Sequence, residues 1–348
     1  MNLQEYVGEK KPILKDFIVD FLKSQNSSLF EQEEILNKLS EFVTNGKMLR
    51  GLIVCLISQM YGKDVSKESL SLAAAIEINH SSLLMHDDIL DNDRLRRGKK
   101  TIFAQYEDEG RSANINDPYF YGTSSAIIVG DIGIFLAVKL FQNVNQEYLR
   151  DVLNLFYSEM MFVGLAEQYE FGVGLKDIEI NEDAILDIYR YKTARYTFSL
   201  PMKLGALIAG APEDQIRLLE KIGEELGIIF QIIDDEIGLL GDEEEIGKPV
   251  GSDIRENKKT LVRKMLFEEA GDEDKQKLLE AFGNHNLTEG QIKNVQEIIK
   301  KFGVDKKIFE IVSSRAANLK PKIDQLEISE DHKNLLKEFV DYNLHRTA

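Results

Sequence analysis

The chain has 348 residues and carries a formal net charge of −17. So large an acidic excess argues against binding to nucleic acid and against general attraction to anionic membrane surfaces. Cys55 is the only cysteine, so an intrachain disulfide is impossible and a reducing cytoplasm is the simplest location. We find neither a signal-peptide pattern nor a run of about 18 apolar residues, which predicts a soluble protein without a transmembrane segment.

Composition and periodicity favour a single helical domain. Hydrophobic residues make up 43% of the chain, which is enough for a large core. Apolar residues recur three and four positions apart, alternating strand patterns are scarce, and no linker divides the chain. The sequence therefore predicts an all-α fold in one domain over residues 1–348.

The first part of the chain predicts two amphipathic helices within residues 3–43, separated by a break near residues 24–28. A glycine turn at 45–51 then places Lys47 and Arg50 three apart at the start of a third helix. Cations oppose the helix dipole there, so the pair indicates a bound anion that shares the site with exposed backbone amides. Basic residues at turns are commonplace, so this signal alone is weak.

A helix predicted from about Lys67 to Asn92 ends in the aspartates Asp87, Asp88 and Asp91. Asp87 and Asp91 are four apart and project from the same face. Like charges this close repel, and oxygen ligands at this spacing suit magnesium, which bridges to a substrate phosphate. Two arginines come next, Arg96 and Arg97, and their forked guanidinium groups are suited to binding phosphate oxygens. The alternative is a solvated acidic helix end.

A second apolar helix, predicted over Asp214–Leu240, contains the run GIIFQIIDDEIG with Asp234 and Asp235. Two acidic pairs at the ends of two apolar helices favour a metal-bound diphosphate over two unrelated solvated faces. Downstream, glycines, a proline and spaced lysines at 247–260 predict a flap that brings positive charge over bound phosphate.

Further polar residues lie on predicted helices, and each has a plain structural alternative. His80 lies two turns before the first aspartates on the same face, which favours a functional role over a buried core histidine, whereas His86 is interpreted as structural. Lys192 and Thr193 supply a charge and a hydroxyl beside aromatic residues on a helix predicted over 184–200. A solvated lysine is an equally good interpretation there.

Turn residues predict a surface loop over Glu107–Gly122. An apolar helix is predicted over Ser124–Phe141, with an interruption at Gly130 and with Asp131 buried beside a capping or hydrogen-bonding partner. The next predicted helix, Tyr148–Phe171, ends in three polar residues, Glu167, Gln168 and Glu170.

In order along the chain stand GKMLR, HSSLLMHDDILDNDRLRRGKKT, YKTARYTF, FQIIDDEIGLLGD and GKPVGSDIRENKKT. With these motifs the chain resembles the trans-type isoprenyl diphosphate synthases, the group that contains farnesyl and geranylgeranyl diphosphate synthases. The resemblance covers Gly46–Lys258, with a weaker tail to Arg346. It implies an isoprenoid-synthase-type helical bundle around a central active-site cavity, acidic clusters that face each other across its mouth, and a homodimer.

The resemblance also implies a reaction. Isopentenyl diphosphate is condensed head to tail (1'-4) with dimethylallyl, geranyl or farnesyl diphosphate, which gives a linear trans-polyprenyl diphosphate. Loss of diphosphate creates an allylic carbocation, and metal ions and fixed cations stabilise the charge that develops on the leaving group. Three magnesium ions are the cofactors that the resemblance implies.

The same resemblance implies roles for individual residues. Asp87, Asp91 and Asp234 would bind magnesium, with Asp88 in support. The residues that would hold the allylic diphosphate are Arg96, Lys192, Thr193, Gln231, Lys248 and Lys258. The residues that would hold isopentenyl diphosphate are Lys47, Arg50, His80 and Arg97, helped by Arg346.

Three features depart from the family pattern, one of them the predicted loop Glu107–Gly122, which is longer than that pattern requires, and a further feature bears on product length. Gly238 stands where the family usually has a third aspartate. Glu167, Gln168 and Glu170 can be aligned with the family's Gln-x-x-Asp pattern in more than one way, so they stay unassigned. Ser82 lies where short-chain members carry a bulky aromatic residue. A small residue there leaves the product tunnel open, so we expect products of geranylgeranyl length or longer.

Two alternatives compete with this interpretation. A class I terpene cyclase shares the helical fold and the first acidic motif, and the run Asp234–Asp242 loosely resembles its second metal motif. A cyclase needs no isopentenyl diphosphate site, however, and the chain has the residues that match one: Lys47, Arg50, His80 and Arg97. A non-catalytic partner subunit is disfavoured because the first aspartate cluster is complete.

Overall fold

The computed structural model describes residues 2–25, 32–241 and 250–346. Within these ranges the backbone is helical almost throughout, apart from one antiparallel pair of short strands, β1 (Leu95–Arg96) and β2 (Lys99–Lys100). In this pair Leu95 lies opposite Lys100 and Arg96 opposite Lys99. The predicted all-α class is confirmed.

The chain divides into two compact units. The first comprises residues 1–153 and 201–211, and the second comprises residues 154–200 and 212–348. The single domain over 1–348 and the cavity between the acidic clusters stay predictions.

The first unit is built around a buried central helix. Its helices are α1 (Leu3–Ser24), α2 (Gln32–Thr44), α3 (Leu49–Met60), α4 (Lys67–Leu90), α5 (Ile102–Ser112), α6 (Pro118–Leu140), the first turns of α7 (Gln146–Leu175), and α9 (Leu200–Ile208) from Pro201 onward. Helix α4 packs against α3 and α6, and α6 packs against α5. A capping box between Ser66 and Ser69 starts α4, and its alanines Ala73, Ala74 and Ala75 are fully buried.

The second unit is built around another long helix. Its elements are α7 from Asn154 onward, α8 (Glu182–Ile188), a π-helical segment (Tyr189–Ser199), α10 (Glu213–Leu240), α11 (Ser252–Arg255), α12 (Leu261–Glu269), α13 (Asp272–Ala281), α14 (Glu289–Phe302), α15 (Val304–Asp324) and α16 (Glu330–Leu344). Helix α10 packs against the π-helical segment, α15 and α16. This packing buries the apolar face of α10 up to the turn that carries its aspartates.

Close packing between α5 and α6 makes one predicted loop wrong. The loop expected over Glu107–Gly122 is mostly helix, because α5 runs to Ser112 and α6 begins at Pro118. Gly122 is a contact residue rather than a turn residue, since a Cβ there would lie 2.5 Å from the carbonyl oxygen of Phe103. Its missing side chain lets the two helices approach closely.

The predicted interruption of α6 at Gly130 is also wrong. Helix α6 is continuous, and a Cβ at Gly130 would lie 2.3 Å from Nε2 of His86, so the glycine makes room for a side chain of α4. Asp131 is exposed rather than buried, with Oδ1 3.7 Å from the same His86 nitrogen.

The single helix predicted over 184–200 is replaced by three elements in succession. Helix α8 ends at Ile188, the π-helical segment follows, and α9 continues to Ile208. Runs of π-helix are rare in proteins, and many of those that occur lie at functional sites. Here the wider turns carry Lys192 and Thr193.

Two glycines one turn apart bring α10 against the π-helical segment. A Cβ at Gly223 would lie 2.5 Å from Cα of Ser199, and one at Gly227 would lie 2.3 Å from Cα of Ala194. The next residue on this face, four positions further along, is Gln231. Backbone approach at the glycines therefore positions Gln231 beside the π-helical segment.

Candidate active site

The C-terminal end of α4 presents the first pair of predicted metal ligands. The N–H of Asp91 donates to the carbonyl of Asp87 at 2.8 Å, so helical spacing continues and both side chains project from one face. Asp88 instead points into the protein, where it is fully buried and accepts a hydrogen bond from Arg96 Nε at 2.6 Å. Burial raises the pKa of Asp88 to about 6, and the Arg96 charge opposes the rise. This geometry suits a supporting role for Asp88, which orients Arg96.

A second cationic site lies two turns earlier on α4, within the same unit. Arg97 lies over the glycine turn that precedes α3, since a Cβ at Gly46 would be 2.7 Å from Arg97 Nη1. Burial, and then the charges of Arg50 and Arg97, hold the pKa of His80 well below its usual value. The imidazole is therefore neutral at physiological pH. The structure brings Arg50, His80 and Arg97 together, with Lys47 exposed next to Gly46.

A buried carboxylate that sequence reasoning missed lies beneath this second site. Glu77 is 3% exposed, and its Oε1 accepts a hydrogen bond from the N–H of Gly51 at 2.7 Å. The N–H of Gly51 at the start of α3 is therefore bound by Glu77 rather than exposed. The charge of Glu77 also acts on Arg50 and Arg97. Glu77 thus binds the N-terminus of α3 and places a carboxylate next to the guanidinium groups of Arg50 and Arg97.

In the second unit, a chain of hydrogen bonds fixes the amide of Gln231. Thr193 Oγ1 donates to Gln231 Oε1 at 2.7 Å, and Gln231 Nε2 donates to Asp235 Oδ1 at 2.7 Å. Asp235 is buried and accepts a further bond from the hydroxyl of Tyr189, which in turn accepts the N–H of Leu261 at 2.8 Å. The second aspartate of this motif therefore orients neighbouring side chains.

Lys192 is held by two glutamates of α7. Its Nζ donates to Glu167 Oε1 at 3.0 Å and also to Glu170, whereas Gln168 between them is exposed. Residues three apart on a helix share a face, which explains why Glu167 and Glu170 act together. The structure thus places these two glutamates, rather than Gln168, beside the predicted diphosphate ligand.

Asp234, the first aspartate of the second motif, is half exposed and pairs with an arginine near the end of the chain. Arg346 Nη2 lies 2.8 Å from Asp234 Oδ1 and donates to the carbonyl of Phe230 at 3.0 Å. Arg346, expected to help hold isopentenyl diphosphate, therefore contacts the predicted metal ligand of the second unit.

The lysine-bearing segment after α10 is described from residue 250 onward. Lys258 Nζ lies 2.9 Å from Glu256 Oε2 and 3.3 Å from Asp253 Oδ1. Lys248, with the glycine-rich start of the predicted flap, lies outside the described residues.

Comparison with known proteins decides between the competing interpretations. The polyprenyl synthetase family matches residues 32–299. The chain belongs to the polyprenyl synthetase family. It is 34% identical to the geranylgeranyl diphosphate synthase of Sulfolobus acidocaldarius over 86% of this chain and 85% of that protein. It is 33% identical to the corresponding Saccharolobus solfataricus enzyme over 82% of this chain and 80% of that protein.

A solved structure agrees with this family assignment. Geranylgeranyl pyrophosphate synthase from Corynebacterium glutamicum, complexed with isoprenyl diphosphate and magnesium, is 25% identical, with a TM-score of 0.92 over 99% of this chain and 100% of that one. The resemblance inferred from the motifs is confirmed. This member of the polyprenyl synthetase family is an isoprenyl diphosphate synthase, an enzyme that transfers prenyl groups.

The carboxylates of this synthetase fit magnesium. Among the described residues, no three His, Cys, Asp or Glu side chains form a ready metal cluster. Magnesium does not need one, because one or two carboxylates, water and substrate phosphates complete its coordination. Asp87 and Asp91, one turn apart at the end of α4, would hold such an ion in the first unit, and the half-exposed Asp234 offers a carboxylate in the second. A bound ion would stabilise negative charge on a diphosphate.

Sequence signals existed for some of the residues that were missed. Glu77 is an acid within an apolar helix, three residues before His80, which is a spacing that predicts a shared face. Glu167 and Glu170 have the same spacing. Tyr189 carries no local signal, since its role depends on the contact between the π-helical segment and α10.

The buried carboxylate predicts a pH dependence of stability. Burial raises the pKa of Glu77, so the folded protein favours the protonated side chain. The resulting contribution to stability is fully present at low pH and is lost as pH rises through the raised pKa. Glu77→Gln keeps the acceptor for Gly51 and removes the titration. We expect the variant to gain stability relative to wild type between about pH 5 and about pH 8, by about 1.4 kcal/mol per unit of pKa shift. Urea unfolding at both pH values measures this, and a pH-independent difference would contradict it.

Proposed function

We propose that this prenyltransferase condenses isopentenyl diphosphate head to tail with an allylic diphosphate and releases linear trans-polyprenyl diphosphates of geranylgeranyl length or longer. The names of its relatives support this product class, since the two archaeal proteins 34% and 33% identical to it are geranylgeranyl diphosphate synthases. The primers are dimethylallyl, geranyl or farnesyl diphosphate, and the cofactor is magnesium, with three ions per site.

The observation that carries the proposal is the presence of two groups of cationic side chains beside α4, two turns apart along it. The first, at the helix end, combines Asp87 and Asp91 with Arg96, which is fixed by buried Asp88. The second, two turns earlier, combines neutral His80 with arginines that rest on a buried carboxylate. Two diphosphate sites are what a condensation of two diphosphates requires, whereas a cyclase requires one.

The residues of the chain divide the chemistry between them. In this proposal Arg96 presents its guanidinium to the diphosphate that leaves from the allylic carbon, and Lys192 is a further cationic ligand of the allylic diphosphate. Thr193 and Gln231 are proposed to bind the leaving group, and their hydrogen bonds to each other and to Asp235 fix their orientation. At the second site, Lys47, Arg50, His80 and Arg97 hold the diphosphate of isopentenyl diphosphate so that its double bond reaches the carbocation. The double bond forms the new carbon–carbon bond, and the proton then lost passes to an oxygen of the released diphosphate.

Product analysis tests the proposed reaction. Purified protein would be incubated with magnesium, labelled isopentenyl diphosphate and each allylic primer in turn, and the products would be dephosphorylated and sized. We expect elongated linear alcohols of geranylgeranyl length or longer. Hydrocarbon products from farnesyl diphosphate alone would contradict the proposal in favour of a cyclase.

Product length depends in this proposal on the small residue Ser82. The Ser82 hydroxyl donates to the carbonyl of Ile78 at 2.9 Å. A Cβ at Gly133 would lie 2.1 Å from Ser82 Oγ, so Ser82 packs closely between α4 and α6. Ser82→Phe is expected to shorten the main product and to lower stability by about 1–3 kcal/mol through overpacking. Gly133→Ala is the control, because it crowds the same contact without adding an aromatic ring. Product sizes and melting temperatures are measured for both variants, and an unchanged product distribution in Ser82→Phe would contradict the role.

A second copy of the chain is proposed to cover the outer face of α6. This helix exposes Phe135 at 74%, Phe120 at 67% and Ile128 at 58%, and clustered exposed apolar side chains mark interaction surfaces. Among the described residues it is also the one helix long and apolar enough to cross a membrane, which for a single helix is weak evidence. A homodimer in the cytoplasm fits this face and the buried thiol of Cys55. Sedimentation equilibrium tests this, and a monomer at micromolar concentration would contradict it.

A further inference from the structure

The missing third aspartate of the second acidic motif leaves a space on α10 that another carboxylate fills. A Cβ at Gly238 would lie 2.8 Å from Oδ2 of Asp253, a residue of α11. The N–H of Gly251, just before α11, donates to the carbonyl of Gly238 in a long hydrogen bond of 3.4 Å. Asp253 can occupy this position because residue 238 has no side chain.

This position matters because of where it falls on α10. Gly238 follows Asp234 by four residues, one helical turn later on the same face. The Cβ of a side chain at 238 would point at the carboxylate of Asp253, 2.8 Å from its Oδ2. Glycine inside a helix is also less favourable than alanine, so a glycine here calls for a compensating contact. The approach of Asp253 supplies one.

The surroundings of Asp253 link it to diphosphate binding. Its Oδ1 lies 3.3 Å from Nζ of Lys258, a predicted ligand of the allylic diphosphate. Asp253 is also an electrostatic neighbour of Asp235, which follows Asp234 in the motif. The carboxylate therefore lies near both the acidic motif and a cation that would contact the substrate.

We propose that Asp253 replaces the missing third acidic residue of the second motif and shares with Asp234 the binding of the divalent cation that bridges to the diphosphate. This inference rests on the proposed function and deepens it. Two carboxylates with water and phosphate oxygens form a sufficient magnesium site. In this proposal the carboxylate that α10 lacks at Gly238 is supplied by α11, which completes the second metal site.

Metal binding without prenyl substrate tests the inference. Mn²⁺ serves as a paramagnetic probe, and its affinity is measured by electron paramagnetic resonance in the presence of inorganic pyrophosphate. Asp253→Asn is expected to weaken Mn²⁺ binding by about 10- to 100-fold. The control is Glu256→Gln, which removes the other carboxylate that contacts Lys258, at 2.9 Å. Equal effects of the two variants, or wild-type affinity in Asp253→Asn, would overturn the inference.

A relocation predicts that the carboxylate can be moved back. In an Asp253→Ala background the space beside residue 238 is open, and Gly238→Asp returns a carboxylate to α10. We expect the double variant to bind Mn²⁺ and pyrophosphate at least about tenfold more tightly than Asp253→Ala alone. No recovery in a double variant that melts at the same temperature as Asp253→Ala would contradict the relocation.

These measurements are independent of prenyl transfer. If wild-type protein makes no elongated product, the proposed function fails, whereas the Mn²⁺ measurements still report on Asp253. If wild-type protein elongates its primer and Asp253→Asn binds Mn²⁺ normally, only the inference about Asp253 fails.

Discussion

Asp87→Asn is expected to reduce kcat/KM for isopentenyl diphosphate incorporation by about 10³-fold or more, with little change in melting temperature. The side chain keeps its size at the end of α4, and it loses the charge that is proposed to act with Asp91 in holding the metal ion. Metal stabilisation of a developing diphosphate charge amounts to several kcal/mol, and each 1.36 kcal/mol is about tenfold in rate. Steady-state kinetics at several magnesium concentrations, with thermal melts, measure the effect.

The control for this prediction is Asp131→Asn in the same unit. Asp131 is exposed on α6, and its carboxylate lies 3.7 Å from His86 rather than at the end of α4. We expect its kcat/KM to stay within about twofold of wild type, as for most surface substitutions. Activity of Asp87→Asn within about tenfold of wild type would show that this carboxylate does not hold the catalytic metal.

Lys192→Gln is expected to reduce kcat by about 10²- to 10³-fold, the range found when one preorganised donor to a developing negative charge is removed. Lys192 is placed by the π-helical segment and held by Glu167 and Glu170, so its charge is fixed before substrate arrives. Single-turnover kinetics with saturating primer separate this effect on chemistry from an effect on binding.

A purely structural ion pair would behave differently. In that case Lys192→Gln and Glu167→Gln would lower melting temperature and activity in parallel, because each removes one member of the same contact. The proposed role predicts a far larger loss of kcat for the lysine variant. Arg190→Gln is the matched control, since Arg190 lies on the same segment in an exposed pair with Asp187.

The long helices were predictable because their signals are local. Helix α4 was predicted from about Lys67 to Asn92 and runs from Lys67 to Leu90, because a long run of apolar and small residues favours a helix through its local sequence. The wrong loop over Glu107–Gly122 came from reading glycines as turn residues. Gly122 instead brings two helices together, and that role depends on the partner helix.

The motif residues of the candidate site could be predicted from the sequence, whereas the residues that contact and orient them could not. The spacing of Asp87 and Asp91 is visible in the sequence, so these candidate metal ligands could be predicted from it. Glu77 and Asp253 act on residues that come from other segments of the chain. Their roles emerge only when helix packing brings those segments together, as the contact between Gly238 and Asp253 illustrates.

The stoichiometry of pyrophosphate release tests the central claim most directly. Wild-type protein with magnesium and farnesyl diphosphate would be assayed for released pyrophosphate with and without labelled isopentenyl diphosphate. Two-site condensation predicts one pyrophosphate for each isopentenyl unit incorporated, and no release above background when isopentenyl diphosphate is omitted. Release from farnesyl diphosphate alone, at a rate independent of isopentenyl diphosphate, would contradict the account.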